Sequence, residues 1–287
     1  MSYFVKRKIL NSLNKLFTTT MNVKLVSTKK KINFSVYNIS KRPKSPLYVN
    51  IGAGKWAHPL WHNLDNPVQG YDKSFGYKSE YNSLIKHDLI LQDKLPFKDN
   101  SLEAIYCSHV IEHLNDKVNT ILFREIKRVL RPGGFFRVTC PDLKLFKRMY
   151  ERGDSEQLAK MNSTPNEKFS NEQLFLNMFI SSLSDVTPPQ GVEKITDNEF
   201  KSLYSKHGCE NTFNLLSKRV PIEIVSKYPR NHDSWHTEEK LIKNLKQAGL
   251  TQVYPSRYLQ SECKYMRDSD FFDYVHPYES LYVEAVK

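Results

Sequence analysis

A short apolar run, Leu47-Tyr48-Val49-Asn50-Ile51, stops at Gly52-Ala53-Gly54. Glycines placed directly after a buried strand let the main chain approach a ligand with no side chain in between. Read literally, Gly52-x-Gly54-x-x-Ala57 satisfies a loose dinucleotide fingerprint and would imply an NAD-dependent dehydrogenase. Two features argue against that. Pro59 interrupts the helix that should carry the pyrophosphate, and Asp65 follows Gly54 by only eleven residues, where the dinucleotide pattern sets its acid about 20 residues on. Farther along stand groups able to take or give a proton: His109, Asp142, His232 and His236. Asp142 can equally cap a helix, and His113 reads as a structural residue at a helix start. Asn231-His232-Asp233-Ser234-Trp235-His236 packs two imidazoles, an acid and an indole into six residues. Two histidines four apart in a non-helical stretch are a poor metal site, so this segment reads as a substrate-facing loop and no metal is expected.

These residues need elements to bring them together. Strand signals cover residues 47–51, 62–65, 84–88, 102–107 and 135–140, each bounded by turn chemistry. Between the fourth and fifth, Val118, Ile121, Leu122, Ile126, Val129 and Leu130 fall on one helical face. Asp116 can cap that helix, and Arg131-Pro132-Gly133-Gly134 ends it. The pattern then changes. Residues 143–230 read as helices and loops, with helical spacing over 171–183 and 197–207 and a break at Pro188-Pro189-Gln190-Gly191. Alternation resumes with a helix over 238–248, capped by Thr237 and stopped at Gly249, and with strands over 250–258 and 281–286. Alternating strands and helices predict an α/β fold: a Rossmann-like, seven-stranded, mainly parallel sheet with helices on both faces and a helical cap inserted. Ligands bind such sheets beyond the carboxyl ends of the strands, so Gly52-Ala53-Gly54, Asp65, Asp88, Ser108-His109 and Asp142 should line one rim. The domain plan is a basic extension over 1–46, a cofactor-binding half over 47–142, the cap over 143–230 and a closing helix and strands over 231–287.

Charge sharpens the plan. The chain has 287 residues and a formal net charge of +12. Of its 43 lysines and arginines, eleven precede Leu47, and the first acid is Asp65; the rest sets 32 basic residues against 31 acidic ones. The excess charge therefore belongs to an arm on a near-neutral body. Within the arm, Phe4, Val5, Ile9, Leu13, Leu16 and Phe17 sit at helical spacing among lysines, which predicts a basic amphipathic helix suited to RNA or an anionic membrane surface. No run approaches 18 apolar residues and no signal-peptide core is visible. Four scattered cysteines suit a reducing compartment, so a cytoplasmic protein is expected.

Five segments in register resemble the class I S-adenosylmethionine-dependent methyltransferases of the short-crossover type. They are Tyr48-Val49-Asn50-Ile51-Gly52-Ala53-Gly54; Trp61-His62-Asn63-Leu64-Asp65; residues 95–105; Ser108-His109-Val110-Ile111-Glu112-His113-Leu114; and residues 124–134. The resemblance implies that Gly52 and Gly54 lie under the methionine part of S-adenosylmethionine and that Asn50 and Ala53 also bind the cofactor. It implies that Asp65 accepts from both ribose hydroxyls and that Asp88 and Leu89 flank the adenine. Ser108 and His109 would border the reactive sulfur. The reaction is an in-line displacement at the methyl carbon, which the protein mainly aligns. A hydroxyl acceptor would need a base, for which His109 and Asp142 are the leading candidates. A small-molecule, sugar or lipid-linked glycan hydroxyl is the expected acceptor. The alternatives are RNA, with the arm as tether, or a nucleotide-binding protein of this fold without turnover. Lys55 or Trp56 stands where the family has its third glycine, and the stretch before Asp65 is too short for a full crossover helix.

Overall fold

The computed structural model describes residues 23–27, 34–38, 47–54, 56–66, 84–164, 168–187, 189 and 191–287. The predicted amphipathic helix over residues 1–17 lies outside them. The arm is not featureless, however. β1 (Val23–Ser27) and β2 (Phe34–Asn38) pair antiparallel, Val23 opposite Asn38 and Ser27 opposite Phe34. Val23 and Leu25 flank Lys24, and Phe34 and Val36 flank Ser35, a short period-2 pattern that the charge of the arm conceals.

The body is one seven-stranded sheet. Its strands are β3 (Tyr48–Ile51), β4 (His62–Asp65), β5 (Leu84–Lys86), β6 (Leu102–Ser108), β7 (Leu130–Pro141), β8 (Gln252–Ser256) and β9 (Ser280–Val286). They lie in the order β5-β4-β3-β6-β7-β9-β8. The first five run parallel, and β9 runs antiparallel to both neighbours. β5 and β8 are shorter than the expected 84–88 and 250–258: the Asp88 carboxylate takes the Ile90 N–H in a turn after β5, and the Ser256 hydroxyl donates to the Gln260 carbonyl in the turn that follows β8. The order reverses between β3 and β6, which opens a crevice at their carboxyl ends.

One face of the sheet packs against α1 (Asp116–Val129) and the late helix Glu238–Gln247, through Ile105, Cys107, Phe136, Val138, Phe123, Ile126, Leu241 and Leu245. The cap of α1 is Asn115 rather than Asp116: the Asn115 side chain accepts from the Val118 N–H at 2.9 Å. Alternation along β6 and β7 turns Ala104, Tyr106 and Arg137 to the other face. Aromatic loops cover it, with Trp56 and Trp61 from the β3–β4 crossover meeting Phe271 and Phe272 from the chain before β9. The described residues of that crossover form no helix, and the Trp56 Nε1–H donates to the Phe271 carbonyl. Arg137, fully buried, donates to both carboxylate oxygens of Asp273, at 3.0 and 2.5 Å, and to Glu284 and Ser256.

Between β7 and β8 the chain forms α2 (Leu143–Glu151), α3 (Ser155–Met161), α4 (Asn171–Asn177), α5 (Asp197–Ser217) and α6 (Ile222–Lys227), followed by α7 (Glu238–Gln247). The helices α2–α6 have a core of their own around Phe146, Phe175, Phe179, Phe200 and Phe213. The predicted helix over 171–183 is α4 followed by a separate 3₁₀ turn, Ser181–Leu183. α5 continues past His207 to Ser217, bent where Gly208 takes φ 73°.

Candidate active site

The crevice starts at the glycine turn. Gly52 sits at φ +66°, its N–H bonded to the Leu64 carbonyl at 2.8 Å, and a Cβ there would fall 2.2 Å from Val110 Cγ2. Gly54 is also left-handed, at φ +50°, yet a Cβ there would meet nothing within 4 Å. The first glycine is thus demanded by packing, the second by backbone conformation beside open space. Asp65, at the end of β4, accepts from the Gly54 N–H at 2.7 Å through Oδ2 and from the Asn66 N–H at 2.7 Å through Oδ1. The carboxylate therefore holds the turn in shape as well as facing the crevice end of the strands. Asn66 in turn donates to Asp88 Oδ2 at 2.6 Å, which joins the ends of β4 and β5. The other oxygen of Asp88 accepts from the N–H groups of Ile90 and Leu91, which sets the loop that carries Leu89. Asn50, buried within β3, keeps its side-chain oxygen without a hydrogen bond. The structure therefore groups Gly52, Ala53, Gly54, Asp65, Asp88 and Leu89 at the ends of three adjacent strands.

Ser108 closes β6, its hydroxyl 3.0 Å from that of Thr139. His109 follows at φ +54°, unusual for a residue with a Cβ, and its N–H donates to the Thr139 carbonyl at 2.9 Å. Strain of this kind, of order 1–3 kcal/mol, clusters at functional sites. The ring of His109 spans two groups: Nε2 is 2.8 Å from Ser280 Oγ, and Nδ1 is 2.9 Å from Glu112 Oε1.

Beyond His109 lies a cavity of about 290 Å³ lined by Glu112, His113, His232, His276 and Glu279 from the body and by Met161, Asn162, Asn177, Met178 and Arg230 from the cap segment. Glu112 is 1% exposed. Burial alone would raise its pKa, but His109, then His113 and His232, hold it down at about 2, so it is a carboxylate. His232 goes the other way, lowered to about 4 by burial and then by His113, and is neutral at pH 7.

Two expected members of the site stand elsewhere. Asp142 caps α2, its Oδ1 accepting from the Lys144 N–H at 2.9 Å, and its side chain does not line the cavity. Burial raises its pKa, with the Lys144 N–H opposing. Its chemistry is that of a helix cap. His236 is 1% exposed and faces Ser234, so it diverges from His232 instead of clustering with it. Glu112 and His113 were missed as functional residues. Their spacing resembles a helix start, and the partner that reveals them, His232, lies more than 100 residues on.

Residues 48–138 match the family model described as a methyltransferase domain. An uncharacterized methyltransferase of Schizosaccharomyces pombe is 32% identical over 100 residues, which are 35% of this chain and 34% of that protein, so the match spans about a third of each. Among solved structures, a methyltransferase of Thermotoga maritima aligns at 13% identity over 86% of this chain and 84% of its own, with a TM-score of 0.39. One from Aquifex aeolicus aligns at 10% identity over 83% and 80%, with a TM-score of 0.37. Likenesses this faint identify no activity. The sheet order, with its single reversed strand, is that of a Rossmann-like α/β fold, and the segment that matches the methyltransferase-domain model, residues 48–138, supplies five of its strands.

Proposed function

We propose that the protein transfers a methyl group from S-adenosylmethionine to an oxygen acceptor, a hydroxyl of a small molecule, sugar or glycan. The observation that carries the cofactor half is the Asp65 carboxylate bonded to the Gly54 N–H at the point where the strand order reverses. A carboxylate at the end of the second strand of the crevice suits two adjacent ribose hydroxyls, since it only accepts and has lone pairs to spare. The open space at Gly54 leaves room for the methionine part. Asn50, Ala53, Asp88 and Leu89 complete this reading of the crevice, with Ser108 and His109 toward the reacting end.

The half-open cavity beyond His109, walled partly by the cap segment, supports an acceptor site. In the proposed step the acceptor oxygen attacks the methyl carbon as the carbon–sulfur bond breaks, and the sulfonium charge disappears. Positioning is the protein's chief contribution. In this reading His109 takes the acceptor proton at Nε2, exchanging its contact with Ser280 Oγ for the acceptor hydroxyl. The adjacent Glu112 carboxylate would stabilise the imidazolium so formed, and Ser280 orients the ring. The basic arm favours a second acceptor class, RNA: residues 1–46 carry eleven cations and no acid. Deleting residues 1–46 would then abolish a steeply salt-dependent RNA affinity, and a small-molecule enzyme would be indifferent to the deletion.

The test is calorimetric titration with S-adenosylmethionine and S-adenosylhomocysteine, on the native chain and on Asp65→Ala. Micromolar binding by the native chain and at least about 10-fold weaker binding by the variant are expected, the loss of one charge-assisted hydrogen-bonded contact. A folded native chain that binds neither compound would overturn the proposal.

A further inference from the structure

The structure assigns a second site, a divalent transition-metal site built from Glu112, His113 and His232 at the wall of the cavity. One donor atom from each of the three residues lies within 4.8 Å of the other two. Two imidazoles and a carboxylate are a ligand set for first-row ions such as Zn²⁺, Co²⁺, Mn²⁺ or Fe²⁺ rather than for Ca²⁺, which prefers oxygens throughout.

Three features mark the cluster as built rather than accidental. First, Glu112 is 1% exposed, and neither carboxylate oxygen has an aligned hydrogen bond. The approach of His109 at 2.9 Å is an ion-pair contact outside good hydrogen-bond geometry. A buried carboxylate with no aligned donor is costly unless something else meets it. Second, both histidines are oriented by the main chain. His113 Nδ1 is 3.0 Å from the Asn231 carbonyl, and His232 Nδ1 is 2.7 Å from the Met178 carbonyl. A ring nitrogen beside a carbonyl must carry the hydrogen, so each ring keeps its Nε2 lone pair for a ligand. This is the usual outer-shell arrangement of metal-bound imidazole. The rings lie 4.7 Å apart, edge to face.

Third, the segments that carry the three residues are stitched together. The Glu112 carbonyl accepts from the N–H groups of Asp233, at 2.8 Å, and Ser234, at 3.1 Å. The His232 carbonyl accepts from the Ser181 N–H at 2.7 Å, while the His232 N–H donates to Ser181 Oγ at 2.8 Å. Three stretches far apart in sequence are thereby held at one spot, with the precision a metal site requires. Glu112, His113 and His232 all line the cavity, so coordination positions left by the protein face space that water or an oxygen ligand can fill. The assignment shares Glu112 with the methyl-transfer reading but does not depend on it, and the shared cavity would put the ion beside any acceptor.

The full-length protein, stripped with a chelator, is titrated with Zn²⁺, Co²⁺, Mn²⁺ and Mg²⁺ by calorimetry, and the Co²⁺ form is read by visible absorption and by paramagnetically shifted histidine ring protons. One ion per chain is expected, with Zn²⁺ and Co²⁺ bound far more tightly than Mg²⁺ and two imidazole ring N–H signals shifted by Co²⁺. Glu112→Gln and His232→Asn, shown folded by circular dichroism, should each weaken Co²⁺ binding by at least about 100-fold, since losing a ligand costs no less than losing an outer-shell partner. His236→Asn should bind as the native chain does. No stoichiometric ion on the native chain overturns the assignment, as does binding that the variants leave intact. Should the variants fail to fold, the shifted ring protons of the native Co²⁺ form decide alone, and fewer than two overturn it. S-adenosylmethionine is titrated into the same metal-free protein, so failure to bind cofactor counts against methyl transfer only.

Discussion

At the scale of single residues, the two glycines of the turn make opposite demands. Gly52→Ala would place a methyl group 2.2 Å from Val110 Cγ2 and force a left-handed conformation at φ +66°. Strain and overpacking together should lower stability by about 2–5 kcal/mol. Gly54→Ala meets only the conformational cost, roughly 1–2 kcal/mol, because no heavy atom lies within 4 Å of its new methyl group. That variant should therefore fold, yet bind S-adenosylmethionine at least about 10-fold more weakly, since a methyl group in the proposed cofactor space costs on the order of 1–3 kcal/mol. Urea midpoints paired with calorimetry separate the two outcomes; normal cofactor affinity in Gly54→Ala would mean that the space beside Gly54 holds no ligand. The glycine turn was legible in sequence. What separates the two positions is Val110, which reaches Gly52 only because β6 lies beside β3.

At the scale of elements, caps and connections decide more than propensity does. Asn115 and Asp116 are both good capping residues, and sequence alone favours neither. Asp116 is instead drawn to Lys240, 3.1 Å away on α7, which leaves the cap to Asn115. Asn115→Ala should cost about 1 kcal/mol in a urea melt, the usual value of a lost cap. The segment before α7 carries a pH dependence of its own. His236, lowered to about 4 by burial and then by Lys240, stays neutral in the folded chain. The unfolded chain takes up that proton near pH 6.5, so it binds more protons between pH 6.5 and 4 and stability falls on acidification. The full window amounts to roughly 3 kcal/mol for this group. Asp233, raised by burial to about 6, acts in the opposite sense, losing stability as pH rises from its unfolded value of 3.8 toward 6. Urea midpoints at pH 7 and pH 5 should show a larger acid loss in the native chain than in His236→Asn; equal losses would mean that His236 titrates normally when folded.

At the scale of the whole molecule, a buried ion cluster ties the last quarter of the chain to the sheet. Arg137 on β7 binds Asp273 in the loop before β9, Glu284 on β9 and Ser256 on β8, all of them buried. Asp273→Asn should destabilise the chain by about 3–5 kcal/mol, because it unbalances a buried charge pair; Arg137→Met with Asp273→Leu should cost less than the sum of the two single changes. An additive double variant would show that the pair is not coupled. The same scale separates what the sequence determined from what tertiary structure decided. Strand order of appearance, the helical face of α1, the helical stretch after β7 and the placing of Gly52, Gly54, Asp65 and Asp88 at strand ends follow from local signals: period, turn chemistry and spacing. Local signals stop there, because a side chain's partner is not local. Asp142 has a carboxylate at the end of a strand, but the helix that begins beside it takes that carboxylate as a cap. His232 and His236 are neighbours in sequence and part in space. His232 and His113 are far apart in sequence and meet, because main-chain bonds from Asp233 and Ser234 to the Glu112 carbonyl set one segment against the other. Spacing along the chain predicts contacts only within one element; contacts between elements are fixed by how strands order and loops dock.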